Sequence, residues 1–236
     1  MGKKVILTWS GGKDSALALH NLQNDKEYQL VGLLTTITDD YDRVSMHGIR
    51  RALLEQQAKS LGLLLDEVFI PKKALNETYE KKMQDILEKY RRNGIDLVAF
   101  GDIFFEEVRS YRENNLEKLG MKGLFPLWKK DSKELASSFL DLGFHAIITC
   151  VDSHFLNGQF VGRQYDKDFL SDLPSSIDPC GENGEFHSFV YDGPVFKKEI
   201  PYKKGDIVLR ENRFYYCDLV PPSIQDPVNH RGEGTE

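Results

Sequence analysis

Ser10-Gly11-Gly12-Lys13-Asp14-Ser15 crowds glycines, hydroxyls, a lysine and a carboxylate into six residues. The apolar run Val5-Ile6-Leu7-Thr8 precedes it, and the helix-like Ala16-Leu17-Ala18-Leu19-His20-Asn21-Leu22 follows. A buried strand, a glycine-rich turn and a helix N-terminus in that order make a concavity of backbone N–H groups. The positive end of the helix dipole backs it, and phosphate groups bind there. Lys13 can neutralise phosphate charge, and Asp14 can hold a Mg²⁺ that bridges phosphate oxygens. The spacing fits neither the Walker pattern nor the three-glycine dinucleotide fingerprint. An ordinary tight turn needs one or two of these residues, not all six.

A second dense cluster runs Asp178-Pro179-Cys180-Gly181-Glu182-Asn183-Gly184-Glu185-Phe186-His187-Ser188. Carboxylates, an amide, an imidazole and a hydroxyl share one loop at the start of a strand. Such a loop suits a polar substrate, a Mg²⁺ or acid–base work; the alternative is a charged surface turn. Gly101-Asp102 follows the apolar run Ile95 to Phe100, and a carboxylate at a strand end beside a phosphate site partners metal or substrate. Arg109 and Arg112 lie three apart on one helix face. They either clamp an anionic substrate or pair with Glu106 and Glu113.

The elements that position these residues read as an α/β fold. Gln29 to Thr36 and Leu63 to Ile70 are further apolar runs, nearly continuous as in buried parallel strands. Ile49, Leu53, Leu54, Ala58 and Leu61 recur at helical spacing before Gly62. Leu75, Tyr79, Met83, Ile86, Leu87 and Tyr90 form one stripe on a long charged helix, read as core-facing. Strands alternating with helices predict right-handed βαβ units in a doubly wound parallel sheet. Ligands in such sheets sit beyond the C-terminal strand ends. That rule selects Ser10 to Ser15, Thr35-Thr36 with the loop to His47, and Gly101-Asp102.

After residue 125 the texture changes. Asp131 and Glu134 open a helix to about Leu142, Phe144 to Val151 is strand-like, and short β-rich segments follow to Val220. The expected division is 1–125, a smaller α+β part at 126–224, and a polar, mobile tail at 225–236.

The 236 residues, 40% hydrophobic and 29% charged, describe a globular protein with a core. No apolar run reaches the roughly 20 residues needed to span a bilayer, and Met1-Gly2-Lys3-Lys4 is no signal peptide. The three cysteines, Cys150, Cys180 and Cys217, are scattered and odd in number, against a disulfide framework. The expected location is cytoplasmic. A net charge of -6 argues against a broad nucleic-acid footprint. Trp128-Lys129-Lys130 is the exception to test. A homo-oligomer is left open.

Ser10 to Ser15, Phe100-Gly101-Asp102-Ile103 and Gly181 to Ser188 together resemble the diphthine–ammonia ligase family of PP-loop ATP pyrophosphatases, over about residues 3 to 220. The resemblance implies an adenine-nucleotide α-hydrolase-like domain and a family-specific C-terminal domain. It implies ATP with Mg²⁺ as cofactors. A substrate carboxylate is adenylated, pyrophosphate leaves, and free ammonia forms the amide. ATP contacts would come from Ser10 to Ser15, Thr35, Thr36, His47 and Gly101, with Met46 packing on adenine. Lone histidines are more often structural, so His47 is open to both roles. The acceptor would lie against Glu182, Asn183, Gly184, Glu185, His187 and Ser188. Lys13, Asp14, Asp102 and Glu185 would carry the chemistry.

Asn183 stands where diphthamide-making members tend to have glycine, and His187 where they tend to have glutamate. Glu106 to Glu113 and Cys150-Val151-Asp152 look more like the bacterial branch, whose hosts make no diphthamide. The resemblance therefore implies amide formation and leaves the acceptor unnamed. The rivals are sulfur transfer to tRNA, which favours paired cysteines and basic surface, and a non-catalytic nucleotide sensor, which has no use for the acidic 181–188 loop.

Overall fold

Strand β1 (Lys3–Thr8) alternates its side chains across a sheet, and both faces are buried. Val5 and Leu7 point into one core and Ile6 into another, as the two-residue period of a strand requires. This computed structural model describes residues 2–45 and 47–222. Met46 and the 225–236 tail, both singled out in the sequence, lie outside the described residues.

The chain continues through α1 (Lys13–Asn24), β2 (Tyr28–Thr38), β3 (Arg43–Val44), α2 (Arg51–Leu61), β4 (Leu65–Ile70) and α3 (Asn76–Arg92). Then come β5 (Leu97–Ala99), α4 (Glu106–Glu117) and β6 (Lys122–Leu124). β2 pairs in parallel with β1 on one edge and with β4 on the other. β5 pairs in parallel with β1 and with β6. The parallel order is β4-β2-β1-β5-β6, and β3 lies antiparallel on β2 beyond the end of β1. α1 and α2 pack on one face, α3 and α4 on the other. The doubly wound parallel sheet is thus observed, and its strand order reverses between β1 and β5. That switch point is where a ligand crevice forms.

The second part begins with α5 (Ser132–Asp141), whose N-cap Asp131 accepts from Lys133 and Glu134 N–H. β7 (His145–Asp152), α6 (Lys167–Asp172), β8 (Phe186–Asp192), β9 (Lys203–Arg210) and β10 (Phe214–Val220) follow. These strands form an antiparallel sheet in the order β8-β7-β10-β9. One apolar core runs from Val5 and Leu19 through Phe139 and Phe144 to Phe189 and Leu219, so the two sheets share their interior. Among the described residues no helix is long and apolar enough to cross a membrane.

Two elements differ from the sequence reading. α2 starts at Arg51 and not Ile49, because the Ile49 carbonyl accepts from Val44 N–H in a hairpin with β3. The α3 stripe is core-facing only in its second half. Leu87 and Tyr90 are buried, whereas Leu75 at the N-cap is 73% exposed. Met83 and Ile86 are half-buried against the same core, and Tyr79 and Met83 line the cleft.

Candidate active site

The loop after β1 is braced from behind by Gln57, a fully buried side chain on α2. Its Oε1 accepts from the Trp9 indole N–H at 2.8 Å, and its amide donates to Gly11 O at 3.1 Å and Val190 O at 2.6 Å. Gly11 has φ +80°, and a Cβ there would fall 2.8 Å from Gln57 Oε1. Only glycine meets both demands. Gly12 is the N-cap of α1 and has no side chain to cap it. The Lys13 N–H donates instead to Ser188 Oγ at 3.2 Å, from β8. Ser15 Oγ closes the turn by donating to Gly12 O at 2.8 Å. Gly101 lies against this helix start, where a Cβ would sit 3.1 Å from Asp14 C and Ser15 N.

These elements enclose a cleft of about 500 Å³. Ser10, Gly12, Lys13, Asp14 and Ser15 line it from the first loop, and Thr35, Thr36 and His47 from the end of β2 and the hairpin beyond. Gly101 and Asp102 complete the floor, while Glu182, Gly184, His187 and Ser188 face it from the second sheet. Gly11, Asn183 and Glu185 are not among its lining. Glu185 is 1% exposed, and its Oε1 accepts from Asp178 N–H at 3.1 Å and Asn183 Nδ2 at 2.8 Å. It holds the loop together from within. Tyr79, Met83, Arg112 and Cys180 also line the cleft. Sequence places Tyr79 and Met83 on the core-facing stripe, since their helical spacing continues that of buried Leu87 and Tyr90, whereas the structure sets them at the cleft. Leu75 on the same stripe is too exposed for a core position, but sequence does not show that.

Lys13 Nζ sits 2.8 Å from both Asp14 oxygens, with only 4% of its side chain exposed. Burial is the largest influence and opposes the ammonium, but Asp14, Cys180 and Glu182 together outweigh it and raise Lys13 above its ordinary value. Burial likewise pushes the Asp14 carboxyl up against the pull of Lys13. Glu182 is raised to about 7, by burial first and by Asp14 and Asp102 as well, although Ile103 N–H donates to its Oε1 at 2.8 Å. The His47 and His187 rings touch with centroids 4.5 Å apart and planes tilted by 40°. Burial and the nearby Lys13 charge lower both, His187 to about 4, so the pair is neutral at pH 7. Asp102 is ion-paired to Arg112, with Nε–Oδ2 at 2.8 Å. Arg109 lies elsewhere, paired to Glu113 at 2.9 Å and stacked over Phe125 and Trp128. Burial pushes the Cys150 and Cys180 thiols up to about 12.

Thr35 Oγ1 and His47 Nδ1 are buried polar atoms without a hydrogen-bond partner, and a ligand in the cleft can supply one. The glycine cradle, Lys13 and the start of α1 fit a chain of phosphates. Among the described residues no three acidic, histidine or cysteine side chains gather to hold a metal. Magnesium at such a site is held mainly by phosphate oxygens and one or two carboxylates, and Asp14 is placed to be one.

The chain is similar to known proteins along most of its length. The diphthine–ammonia ligase of Schizosaccharomyces pombe is 27% identical over 224 residues, covering 87% of this chain and 37% of that protein. The human diphthine–ammonia ligase is 23% identical over 230 residues, covering 87% of this chain and 85% of the relative. The chain thus spans well under half of the fission-yeast protein. Among solved structures, the U34-tRNA thiolase NcsA from Methanococcus maripaludis with its [4Fe-4S] cluster superposes with a TM-score of 0.38 at 16% identity, over 60% of this chain and 57% of that one. A likeness that loose carries no argument. The profile of the diphthamide synthase N-terminal domain matches residues 3–123, and that of the diphthamide synthase C-terminal domain matches residues 131–219. With both cleft-lining loops inside those matches, the chain belongs to the diphthamide synthase family.

Proposed function

We propose that this chain is an ATP-dependent amide ligase that adenylates a carboxylate and amidates it with free ammonia. One observation carries the reading. The phosphate-type loop and the 181–188 loop, far apart in sequence, line one cleft and are tied by Lys13 N–H to Ser188 Oγ, while Ile103 N–H, after β5, donates to Glu182 Oε1. The relatives' name, diphthine–ammonia ligase, supports both a carboxylate acceptor of the diphthine kind and ammonia as the nitrogen donor.

Ser10 to Ser15 bind the β,γ-phosphates through backbone N–H groups and Lys13, while Thr35, Thr36 and His47 meet the nucleoside end beside Gly101. Mg²⁺, held by phosphate oxygens and Asp14, would neutralise phosphate charge. The acceptor carboxylate oxygen attacks the α-phosphorus, the bond to the β-phosphate oxygen breaks, and pyrophosphate leaves. Ammonia nitrogen then attacks the acyl carbon, and the bond to AMP breaks. Ammonium must first give up a proton, and a carboxylate with a pKa of about 7, Glu182, is matched to accept it at neutral pH. Gly184, His187 and Ser188 orient the acceptor; Glu185 and Asn183 hold that loop in shape. Asp102 acts through Arg112, which it aligns along the cleft. Positioning and charge neutralisation account for most catalysis at phosphoryl centres.

The cysteines speak against sulfur transfer, since thiols raised to about 12 are poor nucleophiles at pH 7. All three are free and buried, which suits the reducing cytoplasm, where we place the protein. The test is to incubate chain, ATP, Mg²⁺ and ammonium with a panel of carboxylates that includes a diphthine peptide, and to measure AMP, pyrophosphate and ADP. AMP and pyrophosphate in equal amounts, dependent on one carboxylate, are expected. ADP in their place overturns the ligase reading, and ATP binding without turnover on any acceptor points to a sensor.

A further inference from the structure

His47 sits near the tip of a tight hairpin that belongs to neither motif. β3 pairs with β2 at its base, Arg43 bridges Arg50, and Val44 N–H donates to Ile49 O at 2.8 Å. Val44, Ser45 and His47 line the cleft. The His47 ring touches both sides of it. A Cβ on Gly12 would lie 3.4 Å from its Cε1, and the His187 ring lies against it with centroids 4.5 Å apart.

The hairpin carries an electrostatic fault. Arg43 and Arg50 face each other across it, and like charges placed opposite in paired strands repel. The compensation comes from the other sheet. Asp218 on β10 accepts from Arg50 Nε at 3.0 Å and Nη2 at 2.6 Å, and its Oδ1 lies 2.9 Å from Arg43 Nη1. Arg43 Nη1 also donates to Gly48 O at 2.7 Å, next to His47. Two residues before Asp218, the Tyr216 ring rests on Gly48, where a Cβ would come within 2.7 Å. One carboxylate, 22% exposed, therefore ties both arms of the hairpin to β10.

We infer that Asp218 is a positioning residue of the reaction: through Arg43 and Arg50 it holds the 43–50 hairpin so that His47 closes the cleft over the phosphate-binding loop. The inference rests on the nucleotide reading of that cleft. It makes the antiparallel sheet part of the nucleotide site, through a residue that touches no ligand. Losing the charge of Asp218 leaves two guanidiniums opposed, and the hairpin opens.

The test compares Asp218→Asn with the charge-keeping Asp218→Glu in the full chain. ATP affinity is measured by titration calorimetry, AMP formation by steady-state kinetics, and backbone mobility by hydrogen exchange. The Asn variant should bind ATP about tenfold more weakly, the scale of losing a charge-assisted bond, and raise KM for ATP while kcat stays within about twofold. The Glu variant should recover most of the affinity. The amides of His47 and Gly48 should exchange faster in the Asn variant, with those of β10 unchanged. Wild-type ATP affinity in a folded Asn variant overturns the inference, as does faster exchange spread over all of β10. If the wild-type chain binds no ATP, the ligase reading fails, and exchange at His47 and Gly48 still decides whether Asp218 holds the hairpin.

Discussion

The loops at 10–15 and 181–188 face each other across one cleft but do different work. The first offers fixed charge and fixed donors: backbone N–H groups at the start of α1 and an ammonium kept protonated beside Asp14. The second offers groups whose protonation burial has reset, Glu182 up to about 7 and His187 down to about 4. Holding phosphates needs only a shaped strand–turn–helix. Moving a proton at neutral pH needs a carboxyl taken partly out of water, and that depends on what packs around it.

The sharpest way to break the comparison is Lys13→Ala. If fixed charge is the first loop's contribution, AMP formation should fall by about 10³, the scale of a lost electrostatic partner at a reacting centre. The melting temperature should fall as well, because Lys13 is buried at the start of α1 and its removal leaves the Asp14 carboxylate without its partner, so AMP formation is measured well below the transition. Normal AMP formation in this variant would remove the loop from the mechanism.

Glu182→Gln probes the other side. Ammonia-dependent product should fall by about 10², within the range for a general base, while ATP affinity stays close to wild type. Wild-type amidation should rise with pH through about 7 as Glu182 ionises, and the Gln variant should lose that rise. Folding lifts this carboxyl from 4.5 to about 7, so the folded chain takes up a proton in that window. Its contribution therefore lowers stability as pH rises from 4.5 to 7, and melting curves of the Gln variant should lack that component. An unchanged pH profile would give the proton to another group.

A smaller effect tests the brace shared by the two loops. Gln57→Leu strands the Trp9 indole N–H and takes one hydrogen bond each from the carbonyls of Gly11 and Val190, the Gly11 carbonyl still accepting from Val190 N–H at 2.9 Å. Unsatisfied buried polar groups cost about 1–3 kcal/mol, so denaturant titration should show a loss of about 2 kcal/mol, with weaker ATP binding beside it. Stability loss with unaltered ATP affinity would mean that the loop holds its shape without Gln57.

The smallest expected effect is none. Lys129 Nζ is 2.9 Å from Glu106 Oε1, so the lysine pair beside Trp128 is partly neutralised, and the chain is acidic overall. A mobility-shift titration with total tRNA at physiological salt should show no complex, since each phosphate contact needs a placed cation. Salt-sensitive micromolar binding that Lys129→Glu abolishes would revive the tRNA-modifying alternative.

The parallel sheet and the phosphate-type loop are legible in the chain alone, because both are written in short-range pattern. Val5 to Thr8, Gly11-Gly12 and the helix from Lys13 follow one another in the chain, and apolar runs between charged helices admit one sheet type. The sequence also placed Gly101-Asp102 at a strand end, which the switch point between β1 and β5 then set beside Asp14. Tertiary structure decided the rest. Glu185 and Glu182 are both glutamates in one loop, and only packing turns the first inward to hold Asp178 and Asn183 and leaves the second facing the cleft. Tyr79 and Met83 share the spacing of Leu87 and Tyr90, and only the fold sets the first pair at the cleft and buries the second. Asp218 lies 168 residues from Arg50, outside every motif, and becomes its partner because two sheets share one apolar interior. Local pattern records what a residue's chain neighbours require. Burial, and with it the protonation of Glu182 and His187, is set by whichever distant segments arrive to exclude water.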